Sequence, residues 1–236
     1  DALRLVKSLD AGAGVAAPPA LKGDSVLDIP VRPSPSACTY NKGALARARE
    51  KVRGGGRLKW LAYGDSVTVP VQMWNVPSDL HQAKYGWYAA AARSLENEYG
   101  CTIDIAVNAV GGRQLNEQFE EVQASLESEK PDVLLMLAGD TIENYEVLMP
   151  QVVTQVKAAG AELLVVIPTY DPSPLRVPEF DYLRRYCIEN NIACADARTG
   201  LLGVPEAFWG DTTANPSHPN ALGHRIIGQV VSEMFR

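Results

Sequence analysis

Histidine is nearly absent from this sequence: three occur in 236 residues. Aromatic residues make up only 7%. No apolar run reaches the about 18 residues that a transmembrane helix requires, so a membrane-spanning class is set aside. Basic residues do not predominate either, with Lys and Arg at 22 against 28 Asp and Glu, a formal net charge of −6. Such a chain has no global basic field to draw it to nucleic acid or to an anionic membrane. Cysteine is scarce as well. Cys38, Cys101, Cys187 and Cys194 show neither CxxC spacing nor companion histidines, which excludes a structural zinc site. They fit two disulfides if the protein is exported, or buried thiols, and the sequence leaves both open. The start Asp-Ala-Leu-Arg carries no visible signal peptide and fits a processed or trimmed chain. The expectation is an exported protein, extracellular or periplasmic.

What is present is an ordinary globular composition, 46% hydrophobic and 21% charged. Its length suits one large α/β unit or two small ones, and such a chain builds a core without metal or disulfide. Residues 1–42 are irregular, punctuated by Gly, Ala and Pro after a short helical stretch at Ala2–Leu9, and read as an extended arm. From Gly43 the punctuation becomes regular. Apolar strands are predicted at Leu58–Tyr63, Cys101–Val107, Asp132–Leu137, Glu162–Ile167 and Ile192–Asp196. Helices are predicted at Gly43–Val52, Leu80–Tyr99, Leu115–Glu129, Glu143–Ala159, Phe180–Asn190 and Asn220–Met234. Continuous Val/Ile/Leu runs are what strands covered on both faces look like. Strand and helix alternate in the manner of right-handed βαβ units. The expected architecture is therefore an α/β domain over residues 43–236: a three-layer αβα, flavodoxin-like parallel sheet of about five strands.

In an open parallel sheet, ligands sit beyond the carboxyl ends of the strands. That directs attention to the loops Gly64-Asp65-Ser66-Val67-Thr68, Asn108 to Arg113 with Gly111-Gly112, Ala138-Gly139-Asp140-Thr141, and Pro168 to Pro172. A further one, Asp211 to Asn220, holds Asn215-Pro216-Ser217-His218-Pro219-Asn220 ahead of the last helix. A serine hydroxyl becomes a nucleophile when a base within hydrogen-bond reach takes its proton. Ser66, at a strand-to-loop turn, has the position for the nucleophile. His218 has the position for the base, since it lies at the same sheet edge. His81 reads as a surface residue and His224, inside the final helix, as a packing or capping group. The glycines at 111 and 112 let backbone approach a substrate without a Cβ in the way.

These blocks, in this order and strand context, resemble the SGNH (GDSL-type) hydrolase superfamily over Leu58 to Phe235. The resemblance implies Ser66 as nucleophile and His218, in a His-Pro-Asn-x-x-Gly-His setting, as base. It also implies that the Ser66 and Gly111 N–H groups are oxyanion donors, and that no metal or cofactor takes part. A second Gly-Asp-Ser-Val, at Gly23 to Val26, follows no apolar strand and runs into Leu-Asp-Ile-Pro, so it reads as a chance match.

Two positions depart from the family pattern. Asp140 stands where the oxyanion-donating Asn of the GxND block is expected, and Asn215 stands where the orienting Asp of the DxxH block is expected. An ionised carboxylate accepts hydrogen bonds and cannot donate them. Loss of one oxyanion donor costs roughly 10²–10³ in turnover, and a wrongly held imidazole tautomer about 10⁴ in the serine proteases. Three readings absorb this. The protein is an active esterase in which Thr141 supplies the donor, Asp211 reaches His218, or Asp140 stays protonated. Or it is a carbohydrate-binding or accessory module that has kept the fold and lost catalysis. Or one of the two residues is an introduced change that traps a ligand.

After Ser66, the Pro-rich stretch Val69–Pro77 brings Gln72, Trp74 and Asn75 near the nucleophile, and Tyr170 and Asp171, following the fourth strand, are candidates for the far wall of the substrate site. Trp74 and Asn75 suit a sugar, the ring offering apolar area and the amide hydrogen bonds. Each of these residues has an equally simple role in packing its loop. Arg113 reads as half of a surface ion pair, and Glu117 to Glu129 as a solvated helix face. A flavodoxin-type cofactor protein is disfavoured, because no Gly-rich phosphate cradle follows the first strand. The expected function is hydrolysis of an O-acyl, above all acetyl, ester on a small-molecule or polysaccharide carbohydrate. The expected enzyme is a monomer or small homo-oligomer with no nucleic-acid or membrane partner.

Overall fold

Apolar residues run unbroken through the central strands because each successive side chain has a core to enter. In Val133–Leu137, Val133, Leu135 and Leu137 join one hydrophobic cluster, while Leu134 and Met136 join the other. The same alternation sends Trp60 and Ala62 to one face of the sheet and Leu61 and Tyr63 to the other. A strand buried on both faces needs no polar positions.

The structure, a computed structural model, describes residues 38–69, 86–137, 139–167, 177–200, 210–211 and 215–236; for residues 177, 200, 210, 211 and 215–217 it describes the backbone alone. Backbone contacts divide the chain into Asp1–Pro30 and Val31–Arg236, and all described residues belong to the second unit.

The strands are β1 (Thr39–Tyr40), β2 (Arg57–Gly64), β3 (Thr102–Ala109), β4 (Val133–Leu137), β5 (Glu162–Ile167) and β6 (Ala193–Asp196), followed by the small pair β7 (Gly210–Asp211) and β8 (Asn215–Pro219). The helices are α1 (Ala46–Arg53), α2 (Trp87–Tyr99), α3 (Leu115–Glu129), α4 (Ile142–Ala158), α5 (Val177–Glu189), the short α6 (Ala197–Gly200) and α7 (Ala221–Glu233). The six-stranded sheet has the order β1-β6-β5-β4-β2-β3. From β2 to β6 every pairing is parallel. The order places β2, the strand that leads to Ser66, between β4 and β3. Helices α1, α2 and α7 pack on one face, and α3, α4 and α5 on the other. This is the expected three-layer αβα architecture.

Three local features differ from expectation. Thr39–Tyr40, placed by the sequence in the arm, forms an antiparallel edge strand against β6, with Cys38 buried beside it; two residues are too few to show a period. Gly43–Leu45, expected as the start of a helix, belong with Lys42 to a 3-10 turn before α1. His218 lies in a short strand rather than a loop, because Gly210–Asp211 folds back to pair with Asn215–Pro219. The four cysteines are buried thiols with no disulfide between them. The helical stretch at Ala2–Leu9 and the Leu80–Tyr85 part of the helix expected at Leu80–Tyr99 lie outside the described residues.

Candidate active site

The turn after β2 is built around a missing Cβ. A side chain at Gly64 would collide with the Leu137 carbonyl oxygen and the Thr68 hydroxyl, so β2 can approach β4 this closely only with glycine there. Asp65 then closes the turn. Its Oδ1 accepts from Val67 N (2.9 Å), and its carbonyl accepts from Thr68 N (2.9 Å) and Val69 N (3.0 Å). Ser66 sits at the apex, half-buried at the carboxyl edge of the sheet.

Two other elements converge on it. β8 delivers His218, whose Nε2 lies 2.7 Å from Ser66 Oγ, the distance of a hydroxyl–imidazole hydrogen bond. The loop after β3 delivers Gly111, where a Cβ would lie 3.7 Å from Ser66 Cβ. Val110 N donates to the Gly64 carbonyl (3.1 Å) and fixes that loop against the nucleophile turn. Among the described residues, neither the Ser66 nor the Gly111 N–H has a hydrogen-bond acceptor. Two backbone donors with no acceptor among the described residues thus stand beside a paired serine and histidine.

Asp140 is placed differently. It is buried, and its oxygens are taken up by N–H donors: Asn116 N to Oδ2 (2.7 Å), Thr141 N to Oδ1 (2.7 Å) and Asn144 Nδ2 to Oδ1 (2.7 Å). Its own N–H donates to Tyr145 Oη (2.8 Å). The carboxylate thus joins the N-terminal turns of α3 and α4, where the helix dipoles favour negative charge. It acts as an acceptor throughout, so the expectation of a protonated Asp140 that donates to an oxyanion has no support in these bonds. The Thr141 hydroxyl oxygen caps α4 by accepting from Asn144 N (3.3 Å).

The backbone register sets Asn215, at the family's Asp position, opposite Asp211 across the β7–β8 pair. Trp74, Asn75 and Tyr170, expected on the substrate side, lie outside the described residues, as do Gln72, Asp171 and His81. Arg113 pairs with Glu121 (2.8 Å), as a surface residue would. His224 is fully buried in the first turn of α7; burial first, and the neighbouring His218 second, push its pKa down to about 3. Its Nδ1 has no hydrogen-bond partner. Among the described residues, no group of His, Cys, Asp and Glu is placed to hold a metal ion. Sequence reasoning passed over Asn144; the signal that marks it is its place three residues after the capping Thr141, where a side chain turns back toward the cap.

Neither a protein-family model nor a curated protein matches the chain. Solved structures do. Axe2, an acetylxylan esterase from Geobacillus stearothermophilus, is similar with a TM-score of 0.62 and 18% identity, covering 78% of this chain and 96% of its own. LAE5, an alpha/beta hydrolase from the metagenome of Lake Arreo, gives 0.61 at 16% identity, covering 75% and 94%. A GDSL-like lipase, itself assigned only provisionally, from Parabacteroides merdae gives 0.60 at 18% identity, covering 75% and 95%. At these identities the likeness is one of fold. The chain has the SGNH (GDSL-type) hydrolase fold.

Proposed function

We propose that the protein is a serine esterase that hydrolyses an O-acyl ester, above all an acetyl ester, on a carbohydrate. The observation that carries this reading is the 2.7 Å contact between Ser66 Oγ and His218 Nε2, beside two backbone N–H groups with no acceptor among the described residues. Ser66 Oγ attacks the ester carbonyl carbon while its proton passes to His218 Nε2. The resulting oxyanion takes hydrogen bonds from the Ser66 and Gly111 N–H groups, donors already in place before charge develops. His218 returns the proton to the departing alcohol, leaving an acyl-serine. Water, deprotonated by the same imidazole, repeats the sequence to release the acid and restore Ser66.

The histidine needs a carboxylate to hold its tautomer and offset its charge. Asn215 offers none; the β7–β8 register sets the backbone of Asp211 opposite Asn215, three residues before His218, and on that ground we assign the orienting role to Asp211. Support for a carbohydrate acetyl ester comes from the fold's occurrence in an acetylxylan esterase and from Trp74 and Asn75 in the sequence near Ser66.

The test is hydrolysis of p-nitrophenyl acetate and of acetylated xylo-oligosaccharides by the intact chain and by Ser66→Ala. Hydrolysis lost in the variant is expected. Equal inertness of both proteins overturns the esterase and leaves a carbohydrate-binding module of the same fold.

A further inference from the structure

We propose that Asn144 supplies the side-chain oxyanion donor that position 140 does not, and that Asp140 is the residue that holds it in place. This rests on the esterase reading and extends it to a residue one helical turn away from the family's donor.

The inference begins with what a carboxylate can face. Asp140 can only accept, so the Asn144 atom 2.7 Å from its Oδ1 must be the amide nitrogen; the carboxylate fixes which end of the carboxamide turns toward it. An amide nitrogen carries two N–H groups. One is spent on Asp140, and the second has no acceptor among the described residues. Asn144 is also half-buried, so this donor is held in a restricted setting rather than free in water. Its own backbone is anchored by the Thr141 cap (3.3 Å), and side chains on a helix lean toward its N-terminus, which here is the carboxyl edge of the sheet.

The placement of that edge follows from the register. Gly64 pairs with Leu137, so Ser66 and Asp140 lie just beyond the ends of adjacent strands. Leu115 N donates to the Gly139 carbonyl (3.2 Å), tying the loop of Asp140 to the loop of Gly111, where an added Cβ would lie 3.7 Å from Ser66 Cβ. Asn144, in the first turn of α4, is tied to that loop through Asp140. Three N–H donors and two helix N-termini around Asp140 offset its charge, which lessens the repulsion that a bare carboxylate would exert on an oxyanion.

Acetyl-ester kinetics and the rate of Ser66 labelling by a fluorophosphonate test this, with thermal melting to check each fold. Asn144→Ala is expected to lower kcat by roughly 10²–10³ with little change in KM, and to slow labelling in parallel. The exchange Asp140→Asn with Asn144→Asp restores an amide at 140 and is expected to recover at least about tenfold over Asn144→Asp alone. If Asn144→Ala keeps kcat within about threefold while Ser66→Ala is inactive, Asn144 is not the donor and the esterase reading stands. If the wild-type chain neither hydrolyses nor labels, both readings fall.

Discussion

The rim of the site divides into two regions that differ in what they are made of. The loops after β2 and β3 present backbone: the N–H groups of Ser66 and Gly111, without an acceptor among the described residues, held by the Gly64–Leu137 approach and the Val110 N to Gly64 carbonyl bond. The loop after β4 and the β7–β8 hairpin present side chains, and there stand Asp140 and Asn215, where the resemblance leads one to expect an Asn and an Asp. The difference has a physical basis. A backbone donor survives any substitution that keeps the local turn, whereas a side-chain donor is lost with a single residue and must be rebuilt from a neighbour. On this reading the first region fixes the nucleophile and the oxyanion donors, and the second, apart from His218, tunes them.

The largest expected effect tests the pair that joins the two regions, Ser66 from the first and His218 from the second. Ser66→Ala and His218→Ala should each lower kcat by roughly 10⁶, and the double variant should lose no more than either single one, because the two residues act as one unit. Steady-state kinetics on an activated acetyl ester reads this directly. Losses that multiplied would mean that Ser66 and His218 act separately, and the comparison would lose its first term.

The rest of the second region should respond less. Asp211→Asn is expected to lower kcat by roughly 10²–10⁴, with the upper end set by the wrong imidazole tautomer. Adding Asn215→Asp to that variant should recover most of the loss, since the carboxylate then sits three residues before His218. A single Asp211→Asn variant with wild-type kcat would remove Asp211 from the mechanism.

How much of this was legible beforehand follows from the same division. The parallel strands could be read because each apolar residue of Val133–Leu137 and Glu162–Ile167 enters one of two cores, and α3 matches its expected range, Leu115–Glu129. Ser66 and Gly111 could be placed from a glycine pattern tied to strand ends. The β1 edge strand and the β7–β8 pair could not, for each contains a two-residue segment and β8 holds two prolines. The bonding of Asp140 could not be read either. Its three donors come from Asn116, Thr141 and Asn144, and two helix N-termini meet there only after the sheet has formed. A carboxylate in an asparagine's place looks like a defect until those donors are seen.

The turn that presents Ser66 gives a stability test of the first region. Gly64→Ala drives a methyl group into the Leu137 carbonyl oxygen and the Thr68 hydroxyl. Backbone cannot yield there without shifting β2 against β4. Overpacking of this kind costs about 1–3 kcal/mol and at times more, so urea unfolding should show a fall at or above the upper end of that range. Esterase activity should fall too, because the same shift displaces the Ser66 N–H. A variant with wild-type stability would mean that the close strand approach is not a constraint on the nucleophile turn.

The smallest expected effect concerns His224, which neighbours the base. Its folded pKa is pushed down to about 3, by burial first and His218 second, against an ordinary value near 6.5 in the unfolded chain. Above pH 6.5 the residue is neutral in both states and costs nothing. Between about pH 6.5 and 3 the unfolded chain binds a proton that the folded one refuses. Unfolding free energy therefore falls as pH falls, by about 1.4 kcal/mol per pH unit, or about 2 kcal/mol at pH 5. Urea unfolding at pH 7.5 and 5 of the wild type and of His224→Leu isolates this contribution, since the variant should lose that part of the slope whatever its stability at neutral pH. Equal slopes would show that His224 accepts a proton in the folded state. A neutral His224 also matters to the chemistry. When His218 takes the Ser66 proton, the imidazolium forms beside an uncharged neighbour rather than a second cation, so the base keeps its affinity for the proton it must hold and return.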